Sequence, residues 1–76
     1  MPLEARYANY FSVGHAGCEV VLEFGQYYSG DVEPAPHTRI ITSPLNAVRL
    51  VELLKESLSQ YAAQHGPILP KSPEGA

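Results

Sequence analysis

The sequence predicts an α+β fold: three antiparallel strands in the order β-β-β-α, packed by one long C-terminal helix and completed by dimerisation. Three observations carry this reading. Residues 43–66 keep a helical period between a start signal and a stop signal. Residues 7–13 and 18–24 alternate with a period of two on either side of a glycine-rich turn. Residues 38–42 are short and rich in β-branched side chains, and they run straight into the helix.

Taken in order, residues 1–6 read as a flexible lead-in to a single domain over residues 7–66. From Tyr7, Asn9, Phe11 and Val13 alternate with Ala8, Tyr10 and Ser12, which predicts the first strand. Gly14, His15, Ala16 and Gly17 follow, two glycines bracketing two small or polar residues, as suits a hairpin turn. Cys18, Val20, Leu22 and Phe24 then alternate with Glu19, Val21 and Glu23 in a second strand, and Gly25 closes it or admits a bulge. Residues 29–36 contain Gly30, Pro34 and Pro36 with Asp31 and Glu33, and read as an exposed loop longer than most hairpin connections. Thr38, Arg39, Ile40, Ile41 and Thr42 form the third strand. Antiparallel pairing presents Phe11, Val13, Val20, Leu22 and Phe24 to the helix. It leaves Tyr10, Val21 and Ile41 among Glu19, Glu23 and Arg39 on the other face.

Ser43 is placed as the N-cap and Pro44 at the first helical position, where its missing N–H costs nothing. Gly66 and Pro67 end the helix. Ala47, Leu50, Val51, Leu54, Leu58 and Tyr61 line one face, with Arg49, Glu52, Glu56 and Gln60 opposite. Those six residues and Ala62 span an arc of roughly 120°, and Val48 and Leu53 widen it to roughly 220°. That exceeds what one small sheet covers, so a second apolar surface is expected, most simply another copy of the chain. Residues 67–76 are proline-rich and read as a largely disordered tail, with Ile68 and Leu69 placed to dock on the helix end.

Composition narrows the function. A chain of 76 residues has room for one domain with a marginal core, a size at which self-association is common. One cysteine, Cys18, cannot form an intrachain disulfide and fits a reducing cytoplasm. The first eleven residues lack the pattern of a signal peptide, and no apolar run is long enough to span a bilayer. A net charge of −3 with five Lys and Arg argues against a charge-driven nucleic-acid surface. Ribbon-type DNA binders use a basic ribbon and two helices, whereas Arg39 is the one basic residue in the expected strands. Tyr10, Tyr27 and Tyr28 are read as strand-packing residues rather than stacking platforms for bases.

Tyr7-Ala8-Asn9 with Phe11, then Glu19-Val20 leading to Phe24-Gly25, resemble the opening of a small prokaryotic family of domains of unknown function, DUF3467. Arg39-Ile40, Pro44, Ala47, Leu50, Leu54, Leu58, Tyr61, Gly66 and Ile68 resemble its second half. The resemblance runs from Tyr7 to Ile68, supports the predicted fold and implies no chemistry. Relatives usually carry a polar or basic residue where Val48 stands and an acidic one where Ala62 stands.

Chemical sites are thin. His15 and Cys18 have the spacing of a two-ligand pair that His37 and His65 would complete. A Cys18 pointing into the core, beside a His15 in the turn, argues against a metal, and none is assigned. A nucleophilic Cys18 needs exposure, a lowered pKa and a neighbouring base; the chain is read as non-enzymatic and without a cofactor. The remaining class is an oligomerising protein–protein interaction or scaffold module, with no nucleic-acid or membrane partner. Its interface candidates are Val48, Leu53, Val21, Ile41 and Tyr10. Partner-contact candidates in the loop are Tyr27, Tyr28, Asp31, Glu33 and His37. The alternative is a small-ligand or metal-binding protein whose site forms between chains.

Overall fold

Two residues reverse the chain between the first two strands. Gly17 sits at φ +60° and Cys18 on the negative side, which is the pattern of a type II′ turn. Its twist matches that of the flanking strands, so pairing runs right up to the turn. The computed structural model describes residues 3–30 and 32–69. In it, β1 (Tyr10–Ala16), β2 (Glu19–Gln26), β3 (Ala35–Thr42) and α1 (Pro44–His65) follow one another. The strands form one antiparallel sheet in the order β1-β2-β3.

The predicted order of elements is the observed one, but the first hairpin is shifted. The expected four-residue turn is two residues long, so His15 and Ala16 belong to β1 and Cys18 lies in the turn, exposed. The physical reason is pairing: a longer turn would strand the backbone groups of Gly14, His15 and Ala16. At its other end β1 begins at Tyr10, and residues 3–9 have no regular secondary structure. The third strand is longer than expected, because a bulge between Phe24 and Gly25 lets Pro36 and Ala35 pair with Gly25 and Gln26. Proline is tolerated there because β3 is an edge strand. The Gly25 position admits no side chain: a Cβ would lie 2.7 Å from both Ala35 O and Pro36 Cα. Gly25 is also the one buried residue among those described.

α1 forms where its signals place it. Ser43 is extended, at φ −85° and ψ 158°, and its hydroxyl accepts from the Asn46 N–H at 3.1 Å. Its carbonyl accepts from the Ala47 N–H at 2.9 Å, and the Gly66 N–H donates to the Ala62 carbonyl at 2.8 Å. Ser43 is thus the whole connection between β3 and α1. Ile68 and Leu69 remain 53% and 77% exposed, contrary to the expected docking on the helix end. The rest of the expected tail, residues 70–76, lies outside the described residues.

The register sorts the side chains as expected. Phe11 opposes Phe24 and Val13 opposes Leu22, while Leu22 also opposes Ile40, so these residues share the helix-facing side. Burial departs from expectation: among the described residues no apolar side chain is buried. On α1 only Ala47 and Ala62 are half-buried. Replacing Ser43 by Ala should lower stability by about 1 kcal/mol through loss of the cap, read as the shift of a thermal melt. Gly25→Ala should destabilise by about 1–3 kcal/mol, since backbone rather than a flexible side chain must move aside.

Candidate interaction surface

The helix-facing side of the sheet is only partly covered. A cleft of about 160 Å³ lies between the sheet and α1, lined by Phe11, Val13, Leu22 and Phe24 below and Leu50 and Leu54 beside. Phe11 and Phe24 meet edge to face, with ring centroids 5.8 Å apart, a favoured aromatic geometry. Beyond them Phe11 is 63% exposed and Val13 70%. The large apolar side chains of α1 are exposed by 39% at Leu50 to 73% at Leu45. Val48 and Leu53, the expected flanks, are 53% and 55% exposed; Leu54 and Leu58, on the expected core face, are each 53%. The flanks are therefore scarcely wetter than Leu54 and Leu58, and the core face is markedly drier only at Leu50 and at the half-buried Ala47 and Ala62. Monomeric proteins seldom leave so continuous an apolar stripe in water.

The opposite side of the sheet has a different character. Tyr10, Val21 and Ile41 fall on it together, as their register requires. Glu23 and Arg39 oppose each other across β2 and β3, and one carboxylate oxygen accepts from Arg39 Nη2 at 2.7 Å and from Nε at 3.2 Å. Arg39 is 67% exposed, which keeps the pair worth little. Beside it a shallow hollow of about 330 Å³ is bounded by Ser12, Gly14, Val21, Glu23, Arg39 and Ile41. The five interface candidates thus do not form one patch: Val48 and Leu53 lie on the two flanks of α1, and Tyr10, Val21 and Ile41 on the far face of the sheet.

The loop candidates divide as well. His37 belongs to β3 and is half-buried; Tyr27, Tyr28 and Glu33 are exposed, and Asp31 lies outside the described residues. Tyr27 is held by Asn9, whose side-chain carbonyl accepts from the Tyr27 N–H at 2.8 Å while its amide donates to the Tyr27 carbonyl at 3.4 Å. One side chain therefore replaces a backbone pairing, and the Asn9 N–H donates to Gly25 O at 3.0 Å. The Tyr27 ring packs edge-on against Tyr10, with centroids 5.9 Å apart. On β3, His37 Nε2 donates to the Tyr7 carbonyl at 3.0 Å, and in the neutral ring Nδ1 accepts from the Thr38 hydroxyl at 2.6 Å. His37 is thus a tie between β3 and the segment before β1, a role its place in the sequence did not reveal.

The weak metal candidates fall on three different parts of the sheet. Cys18 is in the turn, His15 in β1, and His37 is occupied with Tyr7 and Thr38. Among the described residues no group of three or more His, Cys, Asp or Glu side chains is placed to hold a metal ion. No described helix is long and apolar enough to cross a membrane. Asn9→Ala should speed amide exchange at Tyr27 by about 10-fold or more, as its acceptor is lost. In the same measurement Glu23→Gln should leave global stability within about 1 kcal/mol.

No curated protein and no solved structure matches the chain. A family described as "Protein of unknown function (DUF3467)" matches residues 3–70. Its span takes in all three strands, the helix and the Asn9 clamp, and the chain belongs to this family.

Proposed function

We propose that this chain is a non-enzymatic, self-associating protein–protein interaction module, an accessory or scaffold component of the bacterial cytoplasm. The observation that supports it is the apolar stripe of α1 and β1, at least 39% exposed at every large side chain. A fold of this size needs that surface out of water to offset the entropy of ordering its backbone. A second copy supplies an equivalent stripe in the simplest way, through a twofold axis. The sheet face bearing Tyr10, Val21 and Ile41 around the Glu23–Arg39 pair then remains the candidate contact surface for a different protein, together with Tyr27, Tyr28 and Glu33. The lone exposed thiol of Cys18 suits a reducing compartment. No cofactor is required.

The test is mass in solution. Light scattering or native mass spectrometry at micromolar concentration should give a dimer or higher symmetric oligomer; a protomer mass would refute the reading. Leu53→Glu should weaken the assembly by about 100-fold or more while far-UV circular dichroism keeps its helical signal. An unchanged assembly would remove the Leu53 flank from the contact.

A further inference from the structure

We infer that the second copy joins through the outer edge of β1, antiparallel and about a twofold axis at Val13, to make one six-stranded sheet. The inference rests on the self-association just proposed and specifies its surface.

The two edges of the sheet are built differently. β3 carries the devices that block strand addition: Pro36, which offers no N–H, the bulge at its Gly25 end, and the charge of Arg39. β1 carries none of them. Its sequence YFSVGHA has no proline and no Asp, Glu, Lys or Arg, and its seven residues pair with β2 without a register shift. Among the described residues nothing pairs with its outer side.

The hydrogen-bonding phase of that edge follows from the turn. Ala16 and Glu19 flank a two-residue hairpin turn, so they exchange both backbone bonds, and such pairs alternate along the ladder. Gly14, Ser12 and Tyr10 therefore bond to β2, while Phe11, Val13 and His15 turn their N–H and C=O groups outward. Val13 is both the middle of the strand and the middle of this outward set. An axis there pairs all seven residues: Val13 with its own copy, Phe11 with His15, Ser12 with Gly14, and Tyr10 with Ala16. Large faces small on one side of the sheet, ring faces ring on the other, and no like charges meet.

The axis is perpendicular to the sheet, so both apolar faces stay on the same side. Phe11 and Val13 of the two copies become the centre of one continuous surface under two neighbouring helices. Phe11 and Val13 are 63% and 70% exposed, and Leu50, Leu53 and Leu54 39–55%, so the side of the protomer next to β1 holds apolar surface of the kind that the ~800 Å² per partner of a standard stable interface removes from water.

The test uses two substitutions of one residue in the full chain. Val13→Pro removes an outward N–H that the protomer does not use, so it should weaken dimerisation by about 100-fold or more and leave the circular dichroism spectrum in place. Val13→Cys in a Cys18→Ser background should give a covalent dimer under mild oxidation, because opposed residues in such a pair sit about 5.5 Å apart at Cα. Thr38→Cys, on β3, should not crosslink. A monomeric wild type overturns both readings. A dimeric wild type whose Val13→Cys variant fails to crosslink overturns edge pairing alone, and this second variant decides the matter if Val13→Pro does not fold.

Discussion

The constraint on which the structure depends is the mismatch between one wide helix and one narrow sheet. α1 is 22 residues long, about 33 Å, and its apolar residues cover more of its circumference than three strands can reach. The helix in turn does not cover the whole sheet, since Phe11 and Val13 on β1 stay mostly exposed. Each element has apolar area that the other leaves wet. The hydrophobic effect is proportional to area removed from water, so the favourable term in folding a single chain is small for its apolar content.

What is well determined in the chain is local. The hairpin turn, the Ser43 cap and the Gly25 bulge each satisfy backbone groups over a few residues. Asn9 and His37 then tie the segment before β1 to the end of β2 and to β3. These contacts fix the geometry of the sheet without supplying a core. Rigidity and burial are thereby separated: hydrogen bonds hold the strands in register, while the apolar side chains of the described residues stay at least partly exposed.

The fold was legible from the sequence because its signals are short-range. Ser43, Pro44 and Gly66 mark the helix ends almost to the residue, and alternation over residues 20–24 places the faces of β2 correctly. The shift in the first hairpin has a definite cause. Two glycines suggested a turn between them, whereas only Gly17 is used for its positive φ and Gly14 pairs with Val21. Cys18 moved with that shift from the expected core to the exposed tip, so the burial that argued against a metal is not there, although no third ligating side chain joins it among the described residues. Neither the pairing of Glu23 with Arg39 nor the clamp of Asn9 on Tyr27 could be read in advance. Both depend on a register linking residues sixteen and eighteen positions apart. The breadth of the apolar stripe was visible in the spacing of Val48 and Leu53. The high exposure of its supposed core side was not, because it depends on how closely α1 approaches the sheet.

The single-residue joint between β3 and α1 has a mechanical consequence. With Ser43 bonded to both Asn46 and Ala47, no slack separates the strand from the helix, and the helix axis follows the orientation of the last residues of β3. A tilt of about 10° at that joint would carry the far end of a helix of this length through about 6 Å. Small twists of the sheet are in this way magnified at Tyr61 and His65, making α1 a lever whose fulcrum is one serine.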